Sequence, residues 1–171
     1  DNISKILSHS IKSSIKNLQN GDILCIAHKI FSKAEGCIYD LNDITPSEKA
    51  ILYANELNKD PRKVEVILRQ SKSVLRSFRH SSQNEGVMIC EHKLGYISTN
   101  AGVDESNIEG DNKVITLPDN PDLSVECLRK YLQDIYGVSI GVIMTDTFGR
   151  PWRVGQVNVA IGVSAVPVTK K

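Results

Sequence analysis

The stretch GVIMTDTFGRPWR, Gly141 to Arg153, opens as a buried β-strand and changes character within two residues. After the apolar run ending at Met144 come Thr145, Asp146 and Thr147, three oxygen-bearing side chains in succession, and then a Gly-Arg-Pro-Trp loop. A turn needs none of this. A short carboxylate at a strand end, backed by the Thr147 hydroxyl, suits a hard cation such as Mg2+ or Mn2+. Arg150 and Arg153 suit phosphate oxygens, and Trp152 fits core packing. The plain alternative is a capped turn with an arginine salt bridge.

The sequence outward from this strand alternates between helical and extended periodicity. Val125, Leu128, Leu132 and Ile135 predict a helix that Gly137 ends, and VNVAIGVSAV predicts a last strand. Near the start, Ile3, Ile6, Leu7, Ile11, Ile15 and Leu18 predict an amphipathic helix stopped at Asn20-Gly21, followed by the strand-like run DILCIAHKI. Thr45-Pro46-Ser47-Glu48 has the form of a capping box with proline at the first helical position, for a helix ending near Leu57. Asp60-Pro61 starts another helix. GVMICEHKLGYISTNAG reads as a hairpin around Lys93-Leu94-Gly95, and DNPD, Asp119 to Asp122, reads as a helix start because the glycine and distal glutamate of a calcium loop are missing. The elements together predict one α+β domain over residues 1–171, with an antiparallel sheet and flanking helices.

Composition narrows the function. A chain of 171 residues is long enough to bury about 70% of its unfolded surface without disulfides or a structural metal. The formal net charge of +1, from 21 Lys+Arg against 20 Asp+Glu, provides no global field for nucleic acid or an anionic membrane. Any anion site is local. No run is long enough for a membrane span. Cys25, Cys37, Cys90 and Cys127 form no C-x-x-C pair and read as reduced core residues of a cytoplasmic protein. Walker, Rossmann, zincin and nucleophile-elbow motifs are absent. His9, His28, His80 and His92 have no mutual ligand spacing.

Two further stretches exceed what a fold requires. In AHKIFSKAEG, Lys29 and Lys33 flank a strand end with Ser32, an arrangement suited to phosphate, although two solvated lysines also satisfy it. In TNAGVDESN, Gly102 permits a tight turn that aims Asp104 and Asn107 into one space, for a hard cation and a nucleotide or sugar edge. An Asx-turn alone also explains Asp104.

These stretches, with LPDNPDLSVECLR and the continuation VGQVNVAIGV, resemble in order and spacing the successive motifs of the coenzyme F420:L-glutamate ligase family, also called F420-0:γ-glutamyl ligase. The resemblance covers most of Gly21 to Val163. It implies an enzyme that uses GTP and Mg2+ or Mn2+, with K+ as activator, to join L-glutamate to the lactyl-phosphate tail of a deazaflavin coenzyme precursor. It also implies an intertwined homodimer of unusual α+β fold. By the same resemblance the metal falls on Asp104, Asp146 and Thr147, and nucleotide contacts fall on His28, Lys29, Lys33 and Asn107. Phosphoryl transfer asks mainly for positioning and charge neutralisation, which assigns catalytic roles to Lys29, Lys33 and Arg150. Relatives of this kind extend further at both ends, and Asn158 stands where an acidic residue is expected in the GQ-x-x-VAIG motif. A non-catalytic nucleotide-binding homologue, or a ligase with a different acceptor, are the other readings.

Overall fold

The computed structural model describes residues 3–14, 17–149 and 154–169. Ile15, Arg150, Trp152 and Arg153, all invoked above, lie outside them. The chain forms two compact units: Asp1–Gly36, Leu117–Thr147 and Gln156–Lys171 make the first, and Cys37–Thr116 with Phe148–Gly155 make the second. The α+β class is as expected, with five α-helices and three small sheets among the described residues.

In the first unit, helix α1 (Ile3–Ser14) precedes strand β1 (Ile23–Ala27), and α2 (His28–Ala34) follows β1 with no intervening loop. Helix α5 (Pro121–Tyr136) leads to β7 (Gly141–Gly149), and β8 (Gln156–Ser164) completes a sheet of order β1-β7-β8. The β1–β7 pair is parallel, from Ile23 opposite Gly141 to Ala27 opposite Thr145, an addition to the antiparallel pairing expected. Helix α5 starts as DNPD predicts. Asn120 Oδ1 accepts from the Leu123 amide at 3.1 Å, Pro121 occupies the first helical position, and Gly137, at φ +67°, terminates the helix. Its buried stripe is Val125, Leu128 and Leu132, while Ile135 faces solvent at 42% exposure. The stripe packs α5 against β8, and Gly162 is what allows the approach. A Cβ there would lie 2.7 Å from the backbone carbon and oxygen of Pro121. Beside it Asp122 Oδ1 accepts from the Val163 amide at 2.8 Å.

The second unit pairs β2 (Ile38–Asp40) antiparallel with β6 (Lys113–Ile115). Helices α3 (Glu48–Leu57) and α4 (Pro61–Gln70) pack on an antiparallel sheet of order β3-β4-β5, formed by Ser71–Phe78, Val87–His92 and Ile97–Thr99. Its core contains Leu57, Val64, Val66, Ile67, Met88, Cys90 and Val114. The β4–β5 hairpin turns at Gly95, at φ +91°, as anticipated. The α3 cap differs from expectation: Ser47, not Thr45, is the N-cap and its Oγ accepts from the Ala50 amide at 3.3 Å. The reciprocal carboxylate is Glu65 of α4, which accepts from the Ser47 amide and hydroxyl at 3.0 and 2.7 Å.

Of the cysteines, Cys90 is buried as expected, and burial pushes its thiol up from the ordinary value. Cys25 and Cys127 are exposed and Cys37 is half-buried, so the core assignment fails for them. Cys25 sits on β1, where alternate residues face away from the core. No described helix is long and apolar enough to cross a membrane.

Candidate functional site

The parallel β1–β7 pairing ends with Ala27 opposite Thr145, and β7 itself continues to Gly149, so Thr145, Asp146 and Thr147 lie within the strand and not at its end as expected. The next residues are His28, the first of α2, and Asp146, within β7. The His28 ring is 3% exposed, with Nε2 3.4 Å from Asp146 Oδ1 and Nδ1 3.1 Å from Ser32 Oγ. With its proton on Nε2, the ring donates toward the carboxylate and Nδ1 accepts from the serine hydroxyl. Asp146 Oδ1 also accepts from the Thr147 amide at 2.7 Å, and Thr147 Oγ1 donates to Asn158 Oδ1 of β8 at 2.9 Å. Because the threonine spends only its proton on Asn158, the lone pairs of Oγ1 are still able to ligate a cation.

Lys29 and Lys33 do not flank a strand end. They lie on α2, four residues apart and hence on one helix face, with Lys33 exposed and Lys29 half-buried. His28 and Ser32 repeat the same spacing on the buried face. The helix therefore sorts its polar residues into an inward pair that meets Asp146 and an outward pair of cations. Ser32 was visible in the sequence only as a neighbour of the lysines. Its tie to His28 follows from i,i+4 spacing once the segment is known to be helical.

Asp104 and Asn107 belong to the second unit. There a 3-10 turn, Asn100–Gly102, with Ala101 at φ +50°, delivers the chain into an isolated antiparallel bridge between Asp104 and Ile115. The Asp104 amide donates to Ile115 O at 3.0 Å and the Ile115 amide donates back at 2.8 Å. The Asp104 carboxylate accepts from the Ser106 amide at 2.8 Å and the Ser106 hydroxyl at 2.9 Å, an Asx-turn. Asn107 follows at φ +60°, a left-handed conformation that asparagine tolerates better than other side chains with a Cβ. The turn motif and the ligand reading are compatible, since each carboxylate oxygen retains acceptor capacity after one hydrogen bond.

Among the described residues no three His, Cys, Asp or Glu side chains converge as a ready metal cage. The Asp146 carboxylate and the Thr147 hydroxyl are hard oxygen donors, the kind that suits Mg2+ or Mn2+. Arg150 lies outside the described residues.

The family profile described as F420-0:Gamma-glutamyl ligase matches residues 1–171. The chain is 45% identical over 168 residues to the coenzyme F420:L-glutamate ligase of Methanopyrus kandleri, covering 98% of this chain and 62% of that protein. It is 42% identical over 149 residues to the protein of that name from Methanocaldococcus jannaschii, covering 87% of this chain and 57% of that one. With the Methanothermobacter thermautotrophicus protein it shares 38% identity over 166 residues, covering 97% and 63%. The chain thus spans less than two thirds of the length of these relatives.

Proposed function

Because this chain belongs to the F420-0:Gamma-glutamyl ligase family, we propose that it carries part of the active site of a GTP- and divalent-metal-dependent ligase. The enzyme would form an amide bond between L-glutamate and the carboxylate of coenzyme F420-0. The observation that carries the reading is the parallel β1–β7 register, which brings the His28-Lys29 pair of one motif beside the Thr145-Asp146-Thr147 run of another.

A free carboxylate resists attack by an amine because oxide is a poor leaving group. In the proposed reaction the acceptor carboxylate attacks the γ-phosphorus of GTP, the bond to the β-phosphate oxygen breaks, and GDP leaves an acyl phosphate. The glutamate amine then attacks the carbonyl carbon, phosphate departs, and the amine loses a proton. Phosphoryl transfer needs positioning and charge neutralisation more than covalent help. Bound Mg2+ or Mn2+ would supply Lewis-acid neutralisation of the phosphate oxygens. Asp104, Asp146 and Thr147 are the residues proposed to hold it. Lys29 and Lys33 project from one face of α2 and serve as phosphate contacts. Arg150 is proposed to share that charge, and Asn107 to contact the nucleotide. His28, buried between Ser32 and Asp146, is better suited to orient the carboxylate than to touch a base. Asn158 Oδ1 accepts a hydrogen bond from the Thr147 hydroxyl, a task an acidic residue would perform equally while adding negative charge.

A homodimer accompanies this reading. It draws support from Ile23 and Val157, which leave apolar surface on the three-stranded sheet at 55% and 45% exposure. Light scattering at micromolar concentration should return a dimer mass, and a monomer mass counts against it.

The test of activity is the mass of the coenzyme product in the protein that carries this chain. Addition of one glutamyl residue, with GDP and phosphate formed in equal amounts and only when metal is present, is the expected result. Binding of GTP without turnover favours the non-catalytic alternative, and GTP turnover that proceeds equally without acceptor and glutamate counts against the ligase reading.

A further inference from the structure

Lys63 is an unusual residue to find in the interior of a unit. It lies on α4 at 5% exposure, and burying an ammonium costs several kcal/mol unless partners compensate. Two carboxylates do so. Lys63 Nζ donates to Glu105 Oε2 at 2.8 Å and to Glu85 Oε2 at 2.9 Å. Lys59, 8% exposed, donates to the same Glu85 oxygen at 2.8 Å. Burial works against the Lys63 charge, yet the two carboxylates outweigh it and raise the group above its ordinary value. The resulting chain of charges, Lys59, Glu85, Lys63, Glu105, joins three segments distant in sequence. They are the α3–α4 connection with the start of α4, the β3–β4 loop and the turn that carries Asp104.

Glu105 is the informative member. Its neighbour Asp104 is fixed through its backbone by the bridge to Ile115, and nothing in that bridge sets the direction of the residues that follow. The Lys63–Glu105 bond supplies a second point of attachment one residue later. With both in place, the Ser106 amide and hydroxyl meet the two Asp104 oxygens, and Asn107 is held at φ +60°. The ammonium is buried while Glu85 and Glu105 are 42% and 50% exposed, so the pairing adds little net stability and its consequence is where it attaches the turn.

We propose that Lys63 is a positioning residue: through Glu105 it fixes the Asp104–Asn107 turn in the geometry that presents the Asp104 carboxylate to a divalent cation. The inference rests on the reading above that Asp104 binds metal. Lys63 itself is committed to two carboxylates and touches no reacting group.

The test combines amide exchange at Ser106 with Mn2+ affinity measured by titration in the presence of GTP. Lys63→Met keeps the aliphatic stem and removes the charge. Glu105→Gln, at a half-exposed side chain, weakens the same link without emptying the interior. Both should speed Ser106 exchange about tenfold and weaken Mn2+ by a factor of about 10, the usual scale for losing a group that orients a metal ligand. Lys63→Arg should restore both. Lys59→Met, which touches Glu85 alone, should change neither. Unaltered Ser106 exchange in Lys63→Met and Glu105→Gln overturns the proposal, as does faster exchange spread evenly over α4 and β4. Asp104→Asn separates the two layers of the argument. If that variant binds Mn2+ as the wild type does, the metal reading falls and the proposal with it. If it binds weakly while Lys63→Met binds normally, only the positioning role is wrong.

Discussion

His28 Nε2 lies 3.4 Å from Asp146 Oδ1, just beyond the last pair, Ala27 and Thr145, of two parallel strands that are 118 residues apart in sequence there. The contact joins the first residue of α2 to a residue within β7, and it sets the orientation of the carboxylate on which the proposed chemistry turns.

Replacing His28 with Phe keeps the buried volume and removes both ring nitrogens, which leaves the buried Ser32 hydroxyl and the Asp146 carboxylate without that partner. Unfolding by urea should show a loss of about 1 to 3 kcal/mol. Lys33→Ala, at an exposed position on the same helix, should stay within about 0.5 kcal/mol of the wild type and yet weaken GTP binding. Equal effects of the two substitutions on stability would contradict the division of α2 into a structural and a ligand face.

The packing of α5 on β8 depends on the missing side chain of Gly162. Gly162→Ala would place a Cβ 2.7 to 2.8 Å from Pro121, and neither a proline ring nor its carbonyl moves easily at a capped helix start. A destabilisation of about 1 to 3 kcal/mol is expected from such overpacking. A stability unchanged in urea titration would mean that the helix start shifts freely.

The charge chain around Lys63 gives the second unit a defined pH response. For Glu85, burial opposes the charged form, but hydrogen bonds from Lys59 and Lys63 outweigh it and hold the carboxyl below its ordinary value of 4.5. A carboxyl depressed on folding contributes stability above its unfolded value and loses it as pH falls through the folded one. Lys63, raised above 10.5, contributes fully below that value and loses its contribution as pH rises through the folded one. Thermal unfolding should therefore show a plateau between these limits and a fall on each side. Lys63→Met should shrink the alkaline fall.

Much of the architecture was legible because its signals are local. Asn120-Pro121 and Asp60-Pro61 announce α5 and α4, and Gly137 and Gly95 mark a helix end and a hairpin. Strand β3 carried no such signal. Its pairing with β4 shifts register between Ser71 and Ser73 and again between Val74 and Arg76, which scrambles the alternation a strand otherwise displays, and Leu75 is exposed. The three-residue strands β2 and β6 are too short for any periodicity. At the site, the oxygen-rich run of β7 and the lysines of α2 were readable as residue types, but the strand does not end at that run as expected, since β7 continues to Gly149. The His28–Asp146 contact was not, because it depends on a parallel pairing between distant strands. The Lys63 chain was hidden for the same reason, its carboxylate partners lying 22 and 42 residues away in sequence.

The most direct measurement of the central claim is thermal unfolding of wild type and Asp146→Asn, in EDTA and in Mn2+ with GTP. Asparagine keeps an Oδ1 acceptor for the Thr147 amide and for His28, and removes the anionic ligand. Ligand at about 100 times its dissociation constant should stabilise the wild type by roughly 2.7 kcal/mol. The expected result is that Asp146→Asn unfolds close to the wild type in EDTA and loses most of the ligand-induced shift. A variant that is destabilised equally in both conditions and retains the full shift would contradict the assignment of Asp146 as a metal ligand, and with it the proposed chemistry.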